Sequence, residues 1–381
     1  MQYRINKIVD GKREPMKFLN CSLHEARECF KNKKIVFFGN GSWLEMINHT
    51  ELMLLRKEFA YIIDNNPNKT VRLEDIQLNI FRPEKLREET ECIVIITSPV
   101  YMYEMYCQLD AMKLNDKIHC YAFPFMQMLT EGYVDKQLFM EAVNIKKKPK
   151  IPKMIHSFWF SGEQKPVEYQ KCVDTWGKYL SDYEIIEWNM DNYDWHKHPF
   201  LERAIEVKAW AFAADYARLD VLNEYGGIYL DMDVEVFKSF DELLGNEAIL
   251  SFANNVSIDL AVLAAQRGNK IIRSMLRLYD QISLPEDRKG FVTLFQPALV
   301  RPVLAEAGIK MNGNLQIIEG ATAFPCSFFM PQDAILYKGY KRTEYTYCVH
   351  YDNFGWSFDT DNKRAKKIRD NNLLWKMIGE E

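Results

Sequence analysis

No two of the eight cysteines form a C-x-x-C pair: Cys21, Cys29, Cys92, Cys107, Cys120, Cys172, Cys326 and Cys348 are scattered along 381 residues. That spacing excludes a zinc ribbon and a small disulfide scaffold, and it implies reduced, mostly buried thiols in a cytosolic protein. No apolar run approaches the length of a membrane span, so any membrane contact is expected to be peripheral. An excess of positive charge is also missing. Forty-nine basic residues against 53 acidic ones give a formal charge of −4, and no bulk attraction to nucleic acid follows. The opening stretch MQYRINKIVDGKRE is polar and charged, unlike a signal peptide. Internal repeats and low-complexity tracts are absent.

What is present is ample material for packed cores, with 48% hydrophobic and 13% aromatic residues. The chain is long for a single core, so two domains are expected. The run Lys146-Lys147-Lys148-Pro149-Lys150 is charged and carries a proline. It reads as a solvated linker between a domain at 1–145 and a second at 151–381.

The first region alternates short β-rich runs with helix-like stretches. Lys34 to Phe38, Phe59 to Ile63, Cys92 to Thr97 and Ile118 to Phe123 read as strands; Trp43 to Lys57 and Tyr101 to Met112 read as helices. This alternation predicts a parallel sheet of Rossmann type. Gly39 and Gly41 follow the first strand, and Asp64 ends the second, where a ribose-binding acid belongs. The third glycine of the dinucleotide fingerprint is missing, with Leu44 in its place. Gly39, Gly41 and Asp64 are therefore either a nucleotide pocket or parts of a structural domain that kept the fold.

The second region is also α/β. Strands are expected at Met154 to Phe158, Tyr183 to Trp188, Ile228 to Leu230 and Ala248 to Phe252, and Val234 to Phe237 continues extended. Helices are expected at Val167 to Leu180, at Phe200 to Tyr225 as two consecutive pieces, at Ile271 to Ile282 and at Pro297 to Ala307. Trp188 to Glu202 and Asn254 to Gln296 read as variable excursions.

The most informative segment is Trp210 to Phe237, WAFAADYARLDVLNEYGGIYLDMDVEVF. Asp215 and Arg218 are three apart in a helical run and share a face. Asp231 and Asp233 are two apart where an apolar strand ends and also share a face. Tyr225-Gly226-Gly227 between them stops the helix and turns into the strand. Three carboxylates and one guanidinium in one helix–turn–strand unit suit a hard divalent cation holding a diphosphate. Asp359-Thr360-Asp361 has the same spacing, but no strand delivers it, and it reads as solvated loop.

These residues resemble those of glycosyltransferase family 32, the enzymes with a DXD-containing sugar-binding region, which include yeast-type mannosyltransferases and bacterial capsular polysaccharide enzymes. More distantly they are similar to the glucosyltransferase domains of large clostridial toxins. The likeness is carried by Ile151-Pro152-Lys153-Met154-Ile155-His156 through Trp159 and Gly162, by Ala214-Asp215-Tyr216-Ala217-Arg218-Leu219-Asp220, and by Tyr225 through Glu235. The resemblance implies a GT-A fold, a nucleotide-sugar donor, a divalent metal (Mn or Mg) and retention of anomeric configuration. It implies that Asp233 ligates the metal with support from Asp231, and that Asp215, Arg218 and Asp231 serve the donor and the chemistry. His156 and Trp159 would line the base slot, His350 would contact metal or phosphate, and Trp356 would close over the donor. The sequence departs from the family at Asn353 to Ser357 and at Gln296-Pro297.

The expectation is therefore a metal-dependent hexosyltransferase using a nucleotide sugar, UDP-linked by analogy, and a saccharide or lipid-linked acceptor in surface polysaccharide synthesis. Its expected location is cytoplasmic, with the basic and apolar segment Lys363 to Ile378 either touching the inner face of the cell membrane or packing as a terminal helix. Two rivals are an oxidoreductase or epimerase centred on Gly39, Gly41 and Asp64, and a non-catalytic sugar-nucleotide-binding protein.

Overall fold

The computed structural model describes residues 16–351, apart from 69–72, 74–75, 131, 255–256, 292–293, 295 and 330–341. Trp356 and the segment Lys363 to Ile378 lie outside the described residues. The chain divides into two compact units, the second beginning at Gly132.

The first unit is built on strands β1 (Ile35–Phe38), β2 (Phe59–Ile63), β3 (Ile80–Phe81), β4 (Cys92–Ile96) and β5 (Ile118–Ala122). They form a parallel sheet in the order β3-β2-β1-β4-β5, the arrangement of a doubly wound fold. Both faces are covered, and the strand sequences show why. Val36, Phe38, Val94 and Ile96 enter one apolar cluster, while Ile35, Phe37, Ile93 and Ile95 enter the other. Strands buried on both faces read as continuous apolar runs, which is how IVFF and CIVII appear in the sequence. The helix Leu23–Cys29 starts with a capping box between Ser22 and Glu25. The single helix expected from Trp43 to Lys57 is instead one turn of α-helix at Ser42–Glu45 followed by 3₁₀ turns at Met46–His49 and Glu51–Leu55. Thr50 breaks it: its backbone is extended, and its hydroxyl donates to the carbonyl of Ile47.

The second unit carries a seven-stranded mixed sheet. Its strands are β6 (Met154–Phe158), β7 (Glu184–Trp188), β8 (Gly227–Leu230), β10 (Ala248–Asn254), β11 (Ser257–Ala265), β12 (Gln316–Ile318) and β13 (Ala321–Phe324), ordered β12-β13-β10-β11-β8-β6-β7. A separate ribbon pairs β9 (Val234–Val236) with β14 (Cys348–His350). Strand β11 lies antiparallel between β10 and β8 in the centre of the sheet. It falls inside the stretch expected to be a variable excursion, and that expectation is corrected. Its alanines (Ala261, Ala264, Ala265) are weak strand formers, so propensity hides it. Burial decides the matter, because Leu260 to Ala265 are all enclosed.

The lysine run is tied along the second unit. Lys147 N–H donates to the Asn144 carbonyl at 3.0 Å, and Lys150 N–H to the Leu244 carbonyl at 2.8 Å. The preceding helix Lys136–Ala142, capped by the Asp135 carboxylate, belongs to this unit as well, and Asn144 N–H reaches the Glu242 carbonyl at 2.8 Å. The division between units thus falls ahead of the expected linker.

The helix Trp210–Glu224 is buried almost all round, with Phe212, Ala213, Tyr216, Ala217, Leu219, Val221 and Leu222 enclosed, so it is a core helix. It ends at Tyr225, and both following glycines have positive φ (72° and 104°). A Cβ on Gly226 would meet Arg267 N at 2.6 Å, and one on Gly227 would meet Met154 O at 2.7 Å. Space and dihedral both require glycine. Gly227→Ala is expected to cost about 2 kcal/mol or more, seen as a melting temperature lowered by roughly 4–8 °C. An unchanged melting temperature would contradict this account of the turn.

Candidate functional site

The helix–turn–strand unit delivers its polar side chains to one cleft of about 440 Å³ in the second unit. Asp215, Arg218, Asp231, Asp233, Asp259 and His350 all line it, with Trp159 and Tyr169 among its apolar walls. Strand β8 stops at Leu230, and Asp231 N–H is held by the Ala261 carbonyl of β11 at 2.9 Å. A turn closed by Val234 N–H to the Asp231 carbonyl at 3.1 Å then starts β9. The ribbon register sets His350 opposite Val234, and Tyr351 N–H donates to the Asp233 carbonyl at 3.1 Å. Trp176 fixes β9 from the other side, donating its indole N–H to the Val234 carbonyl at 2.8 Å.

Arg218 is the organising cation. Its side chain is 7% exposed, and its Nη2 lies 3.0 Å from Asp215 Oδ1 and 3.5 Å from Asp231 Oδ1. Nη1 donates to the Leu260 carbonyl at 2.8 Å, and Nε to the Ala214 carbonyl at 3.3 Å. The guanidinium also sits 4.5 Å over the ring of Tyr229, whose hydroxyl donates to Asp231 Oδ1. With these bonds made, Arg218 chiefly clamps the two carboxylates in place. Burial pushes the Asp215 carboxyl up to about 7, against the pull of Arg218 and with Asp231 adding to the rise. Burial raises Asp231 too, opposed by Arg218 and His350.

His350 faces the second pair of acids. Its Nε2 is 3.4 Å from Asp233 Oδ1 and 4.0 Å from Asp231 Oδ2, and its Nδ1 is 3.2 Å from Asp259 Oδ2. Burial works against an imidazolium here, yet Asp259 and Asp233 outweigh it and hold the His350 pKa well above the ordinary value. Without another cation, the ring itself supplies positive charge to this cluster.

The donor set fits a divalent ion. Among the described residues, Asp231, Asp233 and His350 offer ligand atoms within 4.8 Å of one another. Two carboxylates and an imidazole suit Mn²⁺ or Mg²⁺ with open positions left for substrate oxygens. A bound ion would take the place of the His350 proton.

The structure places two groups of the expected site residues outside the cleft of the second unit. His156 is fully enclosed and absent from the cleft lining. Its Nε2 donates to the Gly226 carbonyl at 2.8 Å, and its Nδ1 accepts from the Trp188 indole at 3.1 Å. Both ring nitrogens are used, and His156 braces the Gly226-Gly227 turn from outside the cleft lining. In the first unit, each Asp64 oxygen already accepts a main-chain N–H, from Asn40 and from Asn66, both at 2.7 Å. A Cβ on Gly39 would strike Thr97 Oγ1 at 2.5 Å, and Gly41 caps a helix of four residues. These residues close a loop at the C-terminal ends of β1 and β2, inside the sheet, and the helix that follows is a single turn.

Asp259 and Tyr229 were not singled out from the sequence. Asp259 stands on the strand that composition conceals, and Tyr229 reads as an ordinary apolar strand residue. The Gln296 amide donates to the Asp215 carbonyl at 2.5 Å and to the Tyr279 hydroxyl at 2.7 Å.

Residues 166–250 match the family described as the glycosyltransferase sugar-binding region containing DXD motif. That stretch contains Asp215, Arg218, Asp231 and Asp233, and ends before Asp259 and His350. The chain is similar to inositol phosphoceramide mannosyltransferase 3 of Schizosaccharomyces pombe, 29% identical over 138 residues, covering 33% of this chain and 36% of that protein. It is also similar to mannosyl phosphorylinositol ceramide synthase SUR1 of Saccharomyces cerevisiae, 27% identical over 163 residues, covering 38% and 40%. The chain thus spans less than half the length of these relatives. Among solved structures, the PaToxG glycosyltransferase aligns at 20% identity with a TM-score of 0.31, covering 45% of this chain and 74% of that one.

Removing the central cation tests the geometry. Arg218→Met leaves the part-buried Asp215 and Asp231 without their partner, and a loss of about 2–4 kcal/mol is expected, below the full penalty for a wholly buried pair. It is measured as a lowered thermal melting midpoint. A midpoint equal to that of the unchanged chain would show that the clamp is dispensable.

Proposed function

We propose that this protein is a metal-dependent glycosyltransferase that moves a hexose from a nucleotide sugar to a saccharide or lipid-linked acceptor, with retention at the anomeric carbon. One observation carries the reading: Asp231, Asp233 and His350 converge as a ligand set beside an Asp215–Arg218–Asp231 clamp in one cleft. The match of residues 166–250 to a sugar-binding region supports it.

In this reading, Asp233, Asp231 and His350 hold the ion. When bound, it supplies Lewis acidity and neutralises charge on the diphosphate. Asp215 and Asp231, fixed by Arg218, accept hydrogen bonds from donor hydroxyls and set the sugar in the cleft. The walls formed by Trp159 and Tyr169 exclude water from the diphosphate and offer an apolar surface to the base. The acceptor oxygen bonds to the anomeric carbon as the bond from that carbon to the phosphate oxygen breaks. The departing phosphate oxygen takes the acceptor proton, so no side-chain base is required.

The names of the two yeast relatives point to mannose as the hexose, while the analogy with bacterial enzymes points to a UDP-linked donor and a surface polysaccharide. Peripheral contact with the inner face of the cell membrane belongs to the same proposal and rests on the basic and apolar sequence Lys363 to Ile378.

The test is release of nucleoside diphosphate from a panel of UDP- and GDP-hexoses, with Mn²⁺ or with chelator, beside Asp233→Ala. Release from one donor that needs Mn²⁺ and disappears in the variant is expected, with a fall of at least 100-fold. Equal turnover by Asp233→Ala, or turnover that survives chelation, would overturn the assignment of the metal site.

A further inference from the structure

The acids of this cleft divide by what they touch. Asp231 and Asp233 approach Nε2 of His350, whereas Asp259 lies on Nδ1 at 3.2 Å, behind the ring as seen from the other two. Asp259 is not one of the three residues whose ligand atoms cluster within 4.8 Å. Its side chain is 12% exposed and that of His350 is 10% exposed, so neither bond is a surface ion pair. Asp259 is itself held: its Oδ1 accepts the N–H of Ala261 at 3.3 Å. It stands on central strand β11, whose next residue, Leu260, gives its carbonyl to Arg218. The carboxylate therefore has a fixed origin behind the imidazole.

We propose that Asp259 is a positioning residue for the metal site: it accepts the Nδ1–H of His350, sets that tautomer and aims Nε2 at the ion held with Asp233 and Asp231. The inference rests on the metal-site reading above. An imidazole ligand needs a lone pair on the metal-facing nitrogen and therefore a proton on the other one. A carboxylate behind the ring selects that state, adds basicity to the ligating nitrogen and removes the freedom of the ring to rotate. Asp231 and Asp233 cannot do this, because they lie on the metal-facing side.

The experiment is Mn²⁺ binding to the full chain, followed by electron paramagnetic resonance and extended to millimolar Mn²⁺. The proteins are the unchanged chain, Asp259→Asn, Asp259→Leu, His350→Ala and the double variant His350→Ala with Asp259→Asn. Melting curves accompany each protein. Asn keeps an acceptor for Nδ1–H and loses the charge; Leu loses both. The expected result is a graded loss, about 10–100-fold for Leu and less for Asn. In the His350→Ala background, the Asp259→Asn change is expected to have no further effect, since the ring through which it acts is gone. Should Asp259→Leu fail to fold, the two Asn proteins carry the test. Affinity within twofold of the unchanged chain in the Asp259 variants overturns the proposal. So does an Asp259→Asn loss that persists in full without His350, which would make Asp259 a direct ligand or a structural residue. Absence of Mn²⁺ binding by the unchanged chain would overturn both this inference and the metal-site reading on which it rests.

Discussion

Confined negative charge is the constraint on which the second unit turns. Asp215, Asp231, Asp233 and Asp259 line one cleft, and Arg218 is the fixed cation among them. Carboxylates removed from water repel one another and resist ionisation, as the raised pKa of Asp215 shows. The arrangement holds because Arg218 bridges two of the acids and His350 lies between the other two and Asp231. A site built this way has its strongest affinity for added positive charge. A divalent ion answers that need.

Strand β11 gives this arrangement its rigidity. From adjacent residues it supplies the Leu260 carbonyl to Arg218 and the Asp259 carboxylate to His350, and its Ala261 carbonyl holds Asp231 N–H. The two halves of the site, one on the helix Trp210–Glu224 and one on the β9–β14 ribbon, are thus referenced to the same central strand. The double glycine at 226 and 227 lets the turn into β8 press against Met154 and His156 on β6 and against Ala265 and Arg267 at the end of β11, and His156 braces that turn from the core.

Much of this was legible in the sequence because the signals were local. The apolar runs of β1, β4 and β8 are unambiguous, the Gly-Gly stop demands a tight turn, and the i,i+3 and i,i+2 spacings of the acids and Arg218 predict shared faces. What was hidden depends on contacts between distant segments. Asp259 and His350 are 91 residues apart, and only the antiparallel ribbon and the central strand bring them together. Strand β11 carries only two β-branched residues, Ile258 and Val262, among alanines and leucines that announce no strand, although burial makes it one. His156 lies in the strand that resembles the family, yet a bond from Trp188 on the neighbouring strand takes its second nitrogen. The lysine run looked like a linker because charge and proline mark loops in general. Main-chain bonds from Lys150 to Leu244 and from Asn144 to Glu242 place it on the second unit.

The proposed role of the carboxylate cluster is to seat a divalent ion. The most direct test is a crystal structure of the full chain soaked in Mn²⁺, with anomalous scattering used to locate the metal. The account predicts one strong peak at roughly 2.0–2.3 Å from an oxygen of Asp233 and from Nε2 of His350. A cleft with no anomalous peak under saturating Mn²⁺, or a peak lying away from these residues, would contradict it.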